Sequence, residues 1–213
     1  MLLYKPKFWD YKKSNFLSSL LLPFSAIISI SNWINFLYYK KKFKIKTICV
    51  GNIYVGGTGK TPISIEIFNI LKKFKVKSVF VKKNYFKHKD EIRLLSKIGP
   101  IINLSSRIKS IAYAEKKKFE SAIIDDGLQD KSLKYDLKIV CFDKKNFIGN
   151  GKLIPAGPLR EKIDSLKKYD IVFLNGFGKL EKKILLEIKK INNKIKIFET
   201  IPIIINKNKI RRK

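Results

Sequence analysis

A short apolar run, Ile48-Cys49-Val50, leads into Gly51-Asn52-Ile53-Tyr54-Val55-Gly56-Gly57-Thr58-Gly59-Lys60-Thr61-Pro62, and an amphipathic stretch from Ile63 to Phe74 follows. The pattern reads as a buried strand, a glycine-rich turn and a helix. In that setting backbone N–H groups curl around a phosphate. Gly56, Gly57, Thr58 and Gly59 let the loop close tightly, and the positive end of the helix that Pro62 helps to open adds its field. Lys60 would then reach the β- and γ-phosphates of a nucleotide, and the Thr61 hydroxyl would ligate Mg2+. Tyr54 stands where this kind of loop usually has glycine. An ordinary glycine-rich connection between strand and helix is the plainer alternative.

The rest of the chain constrains the fold further. Strand-like runs at 47–53, 76–81, 121–125, 137–142, 170–174 and 194–198 alternate with helix-like runs at 62–74, 90–98, 107–117, 161–168 and 179–190. Such alternation builds βαβ units and a parallel sheet covered on both faces. The expected class is α/β: a doubly wound, mostly parallel sheet of the P-loop NTPase-like type. The chain has 213 residues, 45% of them hydrophobic, which is enough for a real core.

Net charge is +30, from 47 basic and 17 acidic residues, so polyanions are natural partners. The basic residues are nearly all lysine. The arginines, which fork bases and phosphates better, are Arg93, Arg107, Arg160, Arg211 and Arg212. Solvated lysine faces are therefore an equal reading, and no specific nucleic acid is expected as a partner. Cys49 and Cys141 both lie in apolar strand-like runs and read as buried thiols, not as a disulfide or metal pair.

From Ser14 to Tyr39 the chain carries no charge, and that length could span a bilayer. Ser14, Ser18, Ser25, Ser29 and Asn32 fall on one narrow helical stripe, with Phe16, Leu20, Phe24, Ile27 and Ile34 around the rest. Trp33, Tyr38 and Tyr39 gather at one end, followed by Lys40, Lys41, Lys42 and Lys44. The expectation is a membrane-seated helix, its polar stripe against protein or headgroups and its lysines near anionic lipid. A buried core helix is the alternative, and a cleaved signal peptide is not expected.

Two further constellations bear on chemistry. Ala122-Ile123-Ile124-Asp125-Asp126-Gly127 is an apolar strand ending in acids, and Asp125 or Asp126 could hold Mg2+ directly or through water. Capping of the next turn is the plainer role. Leu153-Ile154-Pro155-Ala156-Gly157-Pro158-Leu159-Arg160-Glu161 is a stiff loop that delivers Arg160 and Glu161. Arg160 could fork a phosphate, and Glu161 is a further candidate metal ligand or favours a helix N-terminus.

Three phrases occur in order: Val50-Gly51-Asn52-Ile53 through Val55-Gly56-Gly57-Thr58-Gly59-Lys60-Thr61-Pro62, Asp125-Asp126-Gly127-Leu128-Gln129, and Leu153 to Glu161. Together they resemble the tetraacyldisaccharide 4′-kinases of lipid A biosynthesis, the third phrase most specifically, over about residues 16–176. The resemblance implies a P-loop kinase on the cytoplasmic face of the bacterial inner membrane. It would use ATP and Mg2+ to phosphorylate the 4′-hydroxyl of a tetraacylated glucosamine disaccharide 1-phosphate.

On this reading residues 1–45 form a membrane-associated helix and basic linker, 46–205 the kinase domain, and 206–213 a basic tail. The pair Asp90-Glu91 matches a family phrase, which makes Asp90 the candidate to orient the sugar hydroxyl and take its proton; a helix cap is its simpler role. Lys60 and Arg160 join it as candidate catalytic groups. The sequence departs from the family at Tyr54, at Lys83-Asn84-Tyr85 and at Asp130, where histidine is usual. Family members also run on into a second lobe that contributes a histidine, and His88 is not expected to take that part.

Three other readings remain beside the kinase. Two of them are a nucleotide-binding P-loop protein without full kinase activity and a different membrane-associated P-loop ATPase. A GTPase would want an Asn-Lys-x-Asp motif, which the sequence lacks. A basic membrane- or nucleic-acid-binding module is the non-enzymatic rival.

Overall fold

The computed structural model describes residues 5–11, 15–34, 40–83 and 89–203, the side chains of residues 31–34 and 89 excepted. Seven strands form one sheet: β1 (Lys46–Gly51), β2 (Ser78–Val81), β3 (Ile101–Ile102), β4 (Ser121–Asp125), β5 (Leu137–Asp143), β6 (Ile171–Asn175) and β7 (Lys196–Thr200). Their spatial order is β3-β2-β4-β1-β5-β6-β7, and every described pairing is parallel. The central strands β1, β2 and β4 are largely buried on both sides because both faces are covered. Val79 and Val81 join one core while Phe80 between them joins the other.

Helices α3 (Lys60–Lys73) and α4 (Lys89–Ser96) supply Ile63, Phe68 and Leu95 to the second core, where Phe68 stacks on Phe80 at 4.7 Å. Helices α5 (Arg107–Lys116) and α6 (Lys182–Ile191) supply Ile111, Ala114, Ile184 and Ile188 to the first. The doubly wound expectation is met. Three details differ from the sequence reading. β3 is too short to leave a periodic signal. The run expected as a helix at 161–168 is a 3-10 segment, Ile163–Lys168, and the helix expected from 179 starts at Lys182. Cys49 and Cys141 are buried free thiols, and burial pushes Cys141 up to about 12.

The uncharged N-terminal stretch is not one helix. It forms α1 (Phe16–Leu20) and α2 (Leu22–Ile34), and Leu21 between them lies outside both. Pro23 sits in the first turn of α2, where its missing N–H costs nothing and its ring blocks continuation from α1. Among the described residues no helix is long and apolar enough to cross a membrane.

Ser18 and Ser25 of the polar stripe face protein, while Ser14 and the Asn32 side chain lie outside the described residues. Ser18 Oγ donates to the Ala156 carbonyl at 2.7 Å, and Ser25 Oγ to that of Leu153 at 2.9 Å. Upstream, Trp9 Nε1 donates to the Pro155 carbonyl at 2.9 Å. The N-terminal helices therefore dock on the Leu153–Glu161 loop by hydrogen bonds from their polar side. Tyr38, Tyr39, Asn84, Tyr85, His88 and the 206–213 tail lie outside the described residues.

Candidate active site

The carboxyl ends of β1, β4 and β2 lie side by side, the edge of an open parallel sheet where ligands gather. From β1 the chain enters the glycine-rich loop and then α3, whose N-cap, Gly59, has φ +78°. Gly59 is required twice over. That φ disfavours any residue with a Cβ, and a Cβ there would come within 2.6 Å of the Asn175 amide. The same Asn175 amide donates to the Thr58 carbonyl, so the end of β6 holds the loop. Gly56, at φ +139°, and Gly57 are exposed, and a Cβ on Gly57 would meet nothing within 4 Å.

Lys60 and Thr61 begin α3 and face the end of β4. Thr61 Oγ1 donates to Asp125 Oδ2 at 3.3 Å, and Ser64 Oγ to Asp125 Oδ1 at 3.4 Å. Lys60 Nζ lies 4.0 Å from Asp126 Oδ1, a loose approach that leaves the ammonium available to a phosphate. Asp126 is held in the left-handed region, φ +59°, and its carbonyl accepts from Arg107 at 2.6 Å. Arg160 Nη1 reaches Asp126 Oδ1 at 3.4 Å and Gln129 Oε1 at 3.3 Å.

The proline-rich loop is stitched to the phosphate loop itself. Arg160 N donates to the Ile53 carbonyl at 2.7 Å and Val55 N to the Pro158 carbonyl at 2.8 Å. Gln129 Nε2 closes the triangle on the Asn52 carbonyl at 2.8 Å. All three sequence phrases thus meet at one sheet edge.

Two candidates sit elsewhere. The Glu161 carboxylate is buried, takes Lys131 Nζ on Oε1 at 3.1 Å and the Tyr169 hydroxyl on Oε2 at 3.2 Å. Gln129 Nε2, 3.5 Å from Glu161 Oε1, links this carboxylate to the loop. Asp90 lies exposed in the first turn of α4, and its neighbour Glu91 makes the link to the site.

That link is Lys82, which the sequence reading missed. Lys82 is 3% exposed, donates to Asp125 Oδ2 at 2.5 Å and also pairs with Glu91. Burial alone would lower its pKa; Asp125 and then Glu91 outweigh that and hold it above the ordinary lysine value. A lysine directly after the four-residue apolar strand Ser78–Val81 was the available signal, since a charge there needs a buried partner. Tyr54, flagged only as a departure, is buried, and its hydroxyl donates to Asp10 at 3.0 Å and accepts from Lys5. It ties the N-terminal segment to the phosphate loop. Asp130 accepts from Arg107 at 3.1 Å.

The donors fit a magnesium–nucleotide complex. A hydroxyl and one carboxylate are hard oxygen ligands, and Mg2+ commonly takes its others from phosphates and water. Among the described residues no cluster of three or more His, Cys, Asp or Glu could hold a metal alone. Thr58 Oγ1 and Asn52 Oδ1, both flanking this loop, are buried without a hydrogen-bond partner among the described residues.

A family model described as tetraacyldisaccharide-1-P 4′-kinase, LpxK, matches residues 17–209. The chain belongs to this family. The tetraacyldisaccharide 4′-kinase of Pelagibacter ubique (strain HTCC1062) is 52% identical over 200 residues, which are 92% of this chain and 63% of the relative. That of Rickettsia bellii (strain OSU 85-389) is 36% identical over 80% of this chain and 58% of its own length. The chain therefore spans about three-fifths of the length of these curated relatives. LpxK from Aquifex aeolicus, solved in complex with ATP, superposes with a TM-score of 0.64 at 25% identity, covering 87% of this chain and 81% of that one. The signal recognition particle 54 kDa protein of Aeropyrum pernix, at TM-score 0.51 and 11% identity over 84% of this chain and 48% of that one, shares the fold alone. Family membership accounts for the three phrases and for their meeting at one edge.

Proposed function

We propose that this chain transfers the γ-phosphoryl group of ATP to the 4′-hydroxyl of a tetraacylated glucosamine disaccharide 1-phosphate at the cytoplasmic face of the bacterial inner membrane. The observation that carries the reading is the convergence of Thr61 and Asp125 with Lys60, Asp126 and Arg160 at the strand ends, in a member of this family. Gly56, Gly57, Thr58 and Gly59 cradle the phosphates with their amides, and Lys60 leaves its loose contact with Asp126 to pair with the β- and γ-phosphates. Thr61 and Asp125, with Asp126 beside them, would hold Mg2+, which offsets charge on the phosphate oxygens.

The acceptor oxygen forms the new bond to the γ-phosphorus as the bond to the β-bridging oxygen breaks. The hydroxyl proton passes to Asp90, and ADP leaves with the electron pair. Arg160 offsets charge on the moving group. Positioning and fixed charge do most of the catalytic work. Incubation with γ-labelled ATP and the tetraacylated disaccharide 1-phosphate should move label into the organic phase. Label that stays wholly aqueous, with ATP still bound, supports the second reading, nucleotide binding without lipid phosphorylation. That reading draws on the share of the relatives' length this chain covers.

The N-terminal helices suit a lipid acceptor. Ser18 and Ser25 are 0% and 6% exposed against the Leu153–Glu161 loop, while Phe16, Leu20, Phe24 and Ile27 are 58–81% exposed on the other side. An apolar face with Lys40, Lys41, Lys42 and Lys44 following it fits an anionic bilayer surface. Replacing Phe16, Leu20, Phe24 and Ile27 together by serine should weaken binding to anionic vesicles at least ~100-fold, since each buried side chain is worth ~1.5–3 kcal/mol. ATP affinity and the melting temperature should hold. Undiminished vesicle binding would refute the membrane seat. Excising the whole segment is a poorer test, because Trp9, Ser18 and Ser25 hold the loop that carries Arg160. Binding to DNA should be weak and lost at moderate salt.

A further inference from the structure

The ammonium of Lys82 sits between two carboxylates from different elements. The parallel register Val81↔Ile124 brings Lys82 level with Asp125, one residue further along each strand. The Lys82 and Asp125 side chains are 4% and 0% exposed, whereas Glu91, on the first turn of α4, is 44% exposed. The buried end of the bridge is thus fixed, and the outer end is hydrated. The oxygen that takes Lys82, Asp125 Oδ2, is also the one that takes the Thr61 hydroxyl. A divalent cation held by Thr61 and Asp125 must therefore contest that oxygen with an ammonium already on it. Two cations on one carboxylate oxygen repel, and Glu91 offers the ammonium a second seat.

We propose that Lys82 is a positioning residue: the built-in counter-cation of Asp125, which competes with Mg2+ for Oδ2 and, by shifting toward Glu91 when the metal arrives, couples the metal state of the phosphate loop to the start of α4. The inference rests on the phosphate-loop reading above. It gives a fully buried carboxylate a partner while leaving the same oxygen within reach of Thr61, since an unpaired buried charge is costly. It also ties the helix that carries Asp90 to the nucleotide site through a contact that responds to the metal.

The measurement is ATP affinity by calorimetry on the full chain, in EDTA and in Mg2+, expressed as the ratio of the two dissociation constants. Lys82→Met leaves Asp125 with its charge unpaired, so ATP without metal meets an uncompensated carboxylate while metal now binds unopposed. The ratio should rise about tenfold or more, a modest share of what an unpaired buried charge costs. Lys82→Arg, which keeps the cation, should stay near the unaltered ratio. Glu91→Gln removes the outer seat, strengthens the hold of Lys82 on Asp125 and should lower the ratio. A role confined to packing would scale both affinities together, so an unchanged ratio in Lys82→Met overturns the proposal.

Should Lys82→Met fail to melt cooperatively, the half-exposed Glu91→Gln decides: a lowered ratio supports the coupling and an unchanged one refutes it. An unaltered chain that binds no ATP in either condition refutes the phosphate-loop reading and the inference together. ATP binding with an indifferent ratio refutes the inference alone.

Discussion

Asp90→Asn is expected to lower lipid phosphorylation at least ~100-fold while ATP affinity stays nearly unchanged, because positioned proton transfer contributes typically ~10²–10⁴-fold. Asp90 lies exposed in the first turn of α4. It borders the site through Glu91, which pairs with Lys82, which in turn pairs with Asp125. A carboxylate there can accept the hydroxyl proton as the acceptor oxygen attacks. Asn keeps the size, and at an exposed first-turn position it forfeits only a favourable charge at the helix N-terminus, ~0.3–1 kcal/mol. The melting temperature should therefore move little. Kinetics of lipid phosphorylation, with ATP binding measured separately, check the split. Near-normal turnover would reduce Asp90 to a first-turn charge of α4 and turn attention to Glu91 or Asp126.

Lys60→Ala should weaken ATP binding about tenfold or more, since a hydrogen bond to a charged group is worth ~1.5–3 kcal/mol. The Lys60 side chain is 16% exposed, so its interaction with phosphate would be only partly screened. Folding should survive. The ion pair broken among the described residues, to Asp126 at 4.0 Å, is loose, and Asp126 keeps Arg160 at 3.4 Å and its backbone contact with Arg107. Calorimetry with Mg-ATP is the measurement, and an unchanged affinity would remove the phosphate-loop reading. The order of effects follows from position. Lys60 is expected to meet the nucleotide in ground and transition states alike, whereas Asp90 is expected to act only as the hydroxyl reacts.

Local order along the chain made much of this legible. The apolar runs around Cys49, Ile123 and Val140 are continuous because a parallel sheet buries both faces, so they announce strands without alternation. The glycines and Gly59-Lys60-Thr61 announce the loop because its backbone needs conformations few other residues tolerate. β3 escaped notice because two residues carry no period. The run expected as a helix at 161–168 is a 3-10 segment, Ile163–Lys168, and Glu161 just before it turns inward to Lys131 and Tyr169.

The sequence by itself determined the class of fold, the phosphate loop and the polar stripe of Ser18 and Ser25, since each depends on neighbours within a few residues. Tertiary structure alone decided what each partner was. It turned the serines onto the Ala156 and Leu153 carbonyls and set Arg160 against Asp126. It also placed a buried lysine on the oxygen that Thr61 shares. Lys82 and Asp125 are far apart in sequence and adjacent only because β2 and β4 pair in that register. Long-range charge pairing leaves no periodic trace along a chain, because it is fixed by which strands lie side by side and not by the spacing of residues within either one.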